Sequence, residues 1–201
     1  MSRQKGDIMR DVLVSIQPKW CELIASGKKT VEVRKTKPKI ETPFKCYIYC
    51  TKDNTFAEKT LRGFDDNGKA IYYKANKGKV IGEFVCDAIF PISCYYSDTN
   101  ARFIHSEQPF TCLTDKQMID YLGNGVEGYG WHISDLVVYD EPRELCEFFQ
   151  VKAIRGYHKK DEPKTDGINI PRLLNSTRFE VNFLTRPPQS WCYIETRQTA
   201  D

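Results

Sequence analysis

The chain has 201 residues, of which 40% are hydrophobic and 12% aromatic, which is enough for one buried core and too few for two large domains. No stretch approaches the roughly 18 consecutive apolar residues of a membrane-spanning helix, and the first residues lack the apolar core of a signal peptide. The composition therefore predicts a soluble cytoplasmic protein without a membrane partner. It also predicts that the eight cysteines are free thiols rather than a disulfide framework.

The formal net charge of +3 is unevenly distributed along the chain. Residues 1–40 contain ten Lys and Arg against four acidic residues, a net +6, so the remainder of the chain sums to −3. A local basic region attracts phosphate groups even when the whole chain is nearly neutral, which favours a nucleic-acid or nucleotide partner. A solvated basic surface is the other interpretation.

The first quarter of the sequence gives clear local signals. Residues 1–11 are polar and predict a flexible N-terminus, followed by a single domain over residues 12–201. The apolar run 12–16 predicts a buried strand, and Pro18 suits the first position of a helix that Gly27 terminates. Strict alternation over residues 30–34 then predicts a second strand.

The rest of the chain predicts mostly short strands. Strands are expected over residues 44–50, 79–90, 131–139 and 191–194. Helices are expected over residues 114–122 and 144–149, and Thr114 and Gln117 suit a capping box at the start of the first of these. Residues 52–79 form a polar excursion with a turn signal at 66–68, which predicts an inserted hairpin, and residues 152–176 are irregular. The predicted fold class is mixed and mainly β: a small, partly closed β-barrel with short flanking helices.

The residues most suited to chemistry follow the first helix at the spacing Gly27, Lys29, Glu32, Arg34. Glu32 and Arg34 share one face of a strand, about 7 Å apart, with Lys29 at the start of that strand. In such a cluster a carboxylate accepts the exocyclic amine of a base, and the two cations hold phosphate or carbonyl oxygens. The alternative is an ion pair on an exposed strand, worth less than about 1 kcal/mol.

Residues 12–34, with Pro18, Gly27, Lys29, Glu32 and Arg34, resemble the ASCH (activating signal cointegrator homology) domain, a member of the PUA-like group. Residues 80–90 and 131–134 are similar to the later barrel strands of that domain, and residues 186–193 to the ends of ASCH-containing proteins often found in phages and prophages. The resemblance implies a PUA-like β-barrel with a cleft beside the first helix, rimmed by residues 15–20, that binds RNA or a modified nucleoside.

Aromatic residues beside short polar or Gly/Pro-rich segments are further candidates for ligand contacts, because their rings can stack on a base. Trp131 is the favoured ring, and its neighbour His132 can donate to a base or a phosphate. The predicted ligand-binding residues are therefore Ser15, Gln17, Trp20, Lys29, Glu32, Arg34, Trp131 and His132.

Two other functions stay open. The first is a nucleoside or RNA hydrolase, either an amidohydrolase or a nuclease, with Lys29 as base and Glu32 as acid. One bacterial branch of the ASCH family hydrolyses acetylcytidine with a lysine, a threonine and a glutamate; Lys29 matches the lysine, but Glu32 stands at the position of the threonine. The second is a protein-interaction adaptor with a vestigial cleft and an unknown protein partner.

No cofactor is expected, because the sequence has neither a glycine-rich phosphate loop nor a Ser-His-Asp signature. No metal site is expected either, since Cys-x-x-Cys is absent, although distant cysteines such as Cys146 and Cys192 leave a zinc site open.

Overall fold

The structure is a computed structural model that describes residues 10–52, 60–64, 70–74, 78–96, 101–103, 108–154 and 178–195. No helix in these ranges is long and apolar enough to cross a membrane. In chain order the elements are β1 (Asp11–Ile16), α1 (Pro18–Ala25), β2 (Val31–Arg34), β3 (Phe44–Cys50), β4 (Thr60–Phe64), β5 (Ala70–Lys74), β6 (Val80–Cys86), β7 (Ile89–Ile92), β8 (Cys94–Tyr96), β9 (Ala101–Phe103), α2 (Gln108–Thr111), α3 (Asp115–Leu122), β10 (Gly128–His132), β11 (Ser134–Arg143), a 3-10 turn (Leu145–Glu147), β12 (Phe149–Ile154), β13 (Arg178–Phe183) and β14 (Trp191–Ile194).

Two sheets form the body of the described fold. The larger has five strands in the order β11-β6-β3-β1-β14, and the smaller has three in the order β2-β10-β7. Strand β1 runs parallel to β3, whereas its other neighbour β14 is antiparallel. The pairs β4–β5, β8–β9 and β12–β13 form separate two-stranded sheets.

The local predictions for the first elements are confirmed. Every residue of β1 is buried, as expected for a strand covered on both faces. Helix α1 starts at Pro18, and Gly27 adopts a φ of 70° just beyond its end, a left-handed conformation that suits glycine. Helix α3 carries the predicted capping box of Thr114 and Gln117.

Two long predicted strands each divide into two. The predicted strand 79–90 becomes β6 and β7, and the predicted strand 131–139 becomes β10 and β11. Since β6 pairs with β11 and β7 with β10, the four segments form one bent two-stranded ribbon that passes from the larger sheet to the smaller one. Alternation along a strand reports which face each residue occupies, but it does not show where the strand bends.

The prediction of a barrel is wrong, because no sheet closes on itself in the described part of the chain. On the side opposite the ribbon lie the edge strands β2 and β14, which form no hydrogen-bonded pair with each other. Side chains connect these edges instead: Trp191 Nε1 donates to Thr36 Oγ1 at 3.0 Å, and Tyr193 Oη accepts from the Lys39 amide at 2.6 Å. We call this unpaired boundary between β2 and β14 the seam.

Packing occurs in three layers. The main core lies between the two sheets and α1, and includes Val14, Ile24 and Trp131. A second cluster on the outer face of the five-stranded sheet is covered by the 3-10 turn, which replaces the helix predicted over 144–149. A third cluster packs α3 against the three-stranded sheet.

The remaining sequence predictions concern less regular segments. The predicted hairpin within residues 52–79 is present as β4 and β5, and its turn at 66–68 lies outside the described residues. Most of the N-terminal segment 1–11 and of the segment 152–176 also lies outside them.

Replacing Gly82 with alanine is expected to weaken the pairing of β6 with β11. An added Cβ would lie 2.4 Å from the carbonyl oxygen of Val137, a backbone atom that cannot rotate away. The free energy of unfolding, measured by urea denaturation, should fall by about 2 kcal/mol. The exposed neighbour Val137 provides a control, since its replacement with alanine should change stability by less than about 0.5 kcal/mol.

Candidate functional site

Strand β2 directs its charged side chains into the protein. Glu32 and Arg34 are only 6% and 5% exposed. The alternate residue Val33 packs on the other side with Met118 and Leu122 of α3. The predicted alternation is therefore present, but both faces of β2 are buried, which excludes an ion pair on an exposed strand.

Lys29, Glu32 and Arg34 form a chain of buried charges. Lys29 Nζ lies 3.3 Å from Glu32 Oε2, and Glu32 Oε1 lies 2.8 Å from Arg34 Nη2. One carboxylate thus stands between two cations in a region of low dielectric constant, where each charge would be costly without a partner. We call these three residues the charge chain.

Lys29 is the most deeply buried member, with 1% exposure. Its ammonium donates to the carbonyl oxygens of Val31 and Thr111, both at 2.7 Å, and lies 5.4 Å from the centre of the Trp20 ring. Together with Glu32, the two carbonyls supply an acceptor for each of its three hydrogens. Burial lowers the pKa of Lys29, and the carboxylate of Glu32 opposes this shift.

Arg34 bridges the seam. Its Nη2 donates to the carbonyl of Ser15 at 2.7 Å, and its Nη1 lies 3.3 Å from the carbonyl and 3.4 Å from the hydroxyl of Ser190. Ser15 reinforces the connection, because its hydroxyl donates to the carbonyl of Pro188 at 2.6 Å. One guanidinium therefore joins β2, the end of β1 and the segment before β14.

Two buried N–H groups near Glu32 have no hydrogen-bond acceptor among the described residues: Arg34 Nε and Trp131 Nε1. Trp131 lies directly opposite Glu32 in the pairing of β10 with β2. A buried donor without a partner is uncommon in a folded protein and calls for a water or a ligand atom. Each donor would suit an acceptor oxygen.

Trp131 has 0% exposure. Its ring centre lies 6.0 Å from that of Phe44 and 6.0 Å from that of Trp191, within the main core. The stacking predicted for Trp131 therefore has no exposed ring face to act through in this structure. What the side chain offers is its indole N–H.

Of the other predicted ligand residues, Gln17 and Trp20 lie at α1, whereas His132 lies at the bend of the ribbon. Gln17 is exposed at the start of α1, and the half-buried Trp20 ring has Lys19 Nζ 4.4 Å from its centre. His132 belongs to a different group: its Nδ1 lies 2.6 Å from Asp87 Oδ1 at the bend of the ribbon, and this hydrogen bond lowers the pKa of Asp87. The structure thus separates His132 from the charge chain.

Cysteine chemistry has little support in the described residues. No group of three His, Cys, Asp or Glu side chains there is placed to hold a metal ion, so Cys146 and Cys192 find no third ligand. No disulfide joins the described cysteines, and burial raises the pKa of Cys21 and Cys46, which keeps them protonated in the core.

Two partners of the charge chain, Thr111 and Ser190, were not among the predicted site residues. Thr111 acts through its backbone carbonyl, so no side-chain pattern signals it. Ser190 lies in the closing segment 186–193, and the sequence of that segment was the available signal.

Replacing Glu32 with glutamine is expected to lower the free energy of unfolding by about 3 kcal/mol, because Lys29 and Arg34 would remain buried without a counter-charge. Urea denaturation measures the change. Glu83→Gln is the matched control, since Glu83 pairs with the partly exposed Lys45 and should contribute less than about 1 kcal/mol. Equal effects of the two substitutions would contradict a buried charge chain.

The lowered pKa of Lys29 predicts a pH dependence of stability. The unfolded chain holds the Lys29 proton up to its ordinary pKa of 10.5, whereas the folded protein loses it at lower pH. Unfolding therefore takes up a proton between these two values, so the contribution of Lys29 to stability should rise with pH across that interval. Subtracting the urea-unfolding profile of Lys29→Met isolates this group, and a flat difference would contradict the prediction.

The model of the ASCH domain matches residues 14–155. No curated protein matches the chain. The solved structure of an ASCH protein from Zymomonas mobilis is 19% identical, with a TM-score of 0.46, over 67% of this chain and 73% of that one. A mutant of that protein is 20% identical, with a TM-score of 0.45, over 68% and 77% of the two chains. Since the family model covers most of the sequence, the chain belongs to the ASCH domain family, whose PUA-like fold is associated with RNA binding.

Proposed function

We propose that this ASCH domain binds RNA or a modified nucleoside in a cleft at the seam beside α1, with Lys29, Glu32 and Arg34 as its polar floor. The observation that carries the proposal is the pair of buried, unpartnered donors, Arg34 Nε and Trp131 Nε1, next to the charge chain. These groups stay unsatisfied in the core unless an acceptor atom reaches them.

The hydrogen-bonding groups of the site match those of a nucleobase. A base presents carbonyl oxygens and ring nitrogens as acceptors and exocyclic amines as donors. The N–H groups of Arg34 and Trp131 suit an acceptor, and the carboxylate of Glu32 suits an amine. An apolar ligand would leave all three groups unpaired, which disfavours a purely hydrophobic partner.

Access to this polar interior is expected at the seam, because side chains rather than a continuous hydrogen-bonded ladder connect β2 to β14 there. Ser15 is held at this boundary by its bonds to Pro188 and Ser190. On the side of α1, Gln17 is exposed and Trp20 is half-buried. A partly exposed indole ring can stack on a base whose edge faces the charge chain.

A hydrolase acting on a nucleoside or RNA is the second candidate, favoured by the lowered pKa of Lys29 beside Glu32. A lysine acts as a base only in its neutral form, and here the ammonium donates to two carbonyls and faces a carboxylate. Binding without turnover therefore fits the geometry better. Release of acetate from acetylated nucleosides, or cleavage of RNA, that is lost in Lys29→Met would instead support the hydrolase.

Replacing Trp131 with phenylalanine should weaken ligand binding about tenfold, because it removes the N–H donor and keeps an aromatic ring in the core. Isothermal calorimetry with free nucleosides, unmodified and acetylated, and with a short single-stranded RNA measures the affinity. Tyr139→Phe is the matched control, because it removes one hydroxyl that bonds to Glu83 in the larger sheet.

The outcome is interpreted against stability measured by urea denaturation. Weaker binding by a Trp131→Phe protein that is as stable as the Tyr139→Phe control supports the cleft. If neither nucleosides nor RNA bind, or if both variants bind as tightly as the natural sequence, the proposed cleft is wrong.

A further inference from the structure

A second set of basic and aromatic residues begins where β2 ends. Arg34 points inward, and the following segment places three exposed lysines at alternate positions, Lys35, Lys37 and Lys39. Lys35 Nζ lies 5.5 Å from the ring centre of Tyr121, and Lys37 Nζ lies 5.2 Å from that of Tyr129. These are distances at which a cation is attracted to an aromatic ring.

The third lysine extends the same arrangement across the seam. The backbone amide of Lys39 donates to the hydroxyl of Tyr193, and the guanidinium of Arg10 lies 5.8 Å from the Tyr193 ring centre. The three tyrosines come from α3, β10 and β14, so the segment connects elements on both sides of the seam. We call Lys35, Lys37, Lys39, Tyr121, Tyr129 and Tyr193 the lysine–tyrosine face.

The charges of this face differ from those of three other described lysines. Lys45, Lys79 and Lys116 each pair with a carboxylate, at 2.6, 2.7 and 3.0 Å. Among the described residues, no ion pair neutralises the three lysines of the face. Their positive charge is therefore available to an external anion.

We propose that the lysine–tyrosine face binds the sugar–phosphate backbone of a single-stranded RNA whose terminal or central base occupies the cleft. This inference rests on the proposed function and specifies its ligand as a strand rather than a free nucleoside. Unpaired lysines supply the phosphate contacts, and Tyr121, which is 36% exposed, offers a ring to an unstacked base. The contact of Thr36 with Trp191 fixes the segment beside the cleft.

The test compares two triple variants that remove the same charge. One is Lys35→Ala/Lys37→Ala/Lys39→Ala, and the control is Lys45→Ala/Lys79→Ala/Lys116→Ala, which removes the three lysines that pair with carboxylates. The probe is a fluorescein-labelled single-stranded oligouridylate of about twelve nucleotides. Its affinity is measured by anisotropy over a series of salt concentrations, and uridine and cytidine are titrated by calorimetry.

The triple variant of the face loses three phosphate contacts, so the negative slope of log affinity against log salt should become shallower by about 2. This corresponds to roughly a hundredfold loss of affinity at 0.1 M salt. The control should keep the slope of the natural sequence, and the affinity for nucleosides should be the same in both variants. Tyr121→Ala should weaken oligouridylate binding about tenfold without changing the salt slope.

Two results would overturn the inference. The first is oligouridylate binding that responds equally to both triple variants. The second is equally tight binding of poly-glutamate, which would indicate a surface for acidic proteins. Failure of the cleft has a different signature: nucleosides do not bind and Trp131→Phe has no effect, while oligouridylate affinity still depends on the lysine–tyrosine face.

Discussion

The fold depends on how Arg34 bridges a boundary that the backbone leaves open. The bent ribbon connects the two sheets covalently on one side, and on the other side β2 and β14 have no shared hydrogen-bond ladder. Arg34 connects them through the carbonyls of Ser15 and Ser190. A guanidinium this deeply buried is stable only with a counter-charge, so the bridge requires Glu32, and Glu32 in turn balances Lys29.

This dependence places buried charges at a boundary of the core that no backbone hydrogen-bond ladder closes. In a fully paired barrel, the amide and carbonyl groups of the two edge strands would bond to each other. Buried charged side chains would then not be needed to connect the strands. Because β2 and β14 are not paired, side chains make the connection, and their remaining N–H groups stay available. Structure and binding therefore compete for the same residues: the groups that hold the seam are those a ligand would contact. An acceptor that satisfied Arg34 Nε and Trp131 Nε1 would also stabilise the folded protein.

Local signals in the sequence predicted local structure well. The proline at the start of α1, the glycine after it and the capping box of α3 each act within a few residues, and the structure confirms them. The spacing of Lys29, Glu32 and Arg34 also predicted their proximity. Burial of the charge chain was not predictable, because it depends on Ser190, which is 156 residues from Arg34 in the chain, and on a backbone carbonyl of α2. The bend of the ribbon and the open seam also escaped prediction, since alternation does not report which sheet a residue joins.

Two groups of basic residues within residues 1–40 have opposite roles in the structure. Lys29 and Arg34 share the single carboxylate of Glu32 and donate to backbone carbonyls inside the protein, so the two cations add at most one net positive charge to the field outside it. The lysines that follow Arg34, where β2 ends and the chain reaches the surface, present their charges to solvent. Arg34 connects the two sheets, and the next residue, Lys35, already presents its charge to solvent. This change places the exposed charge beside the seam, where the cleft is proposed.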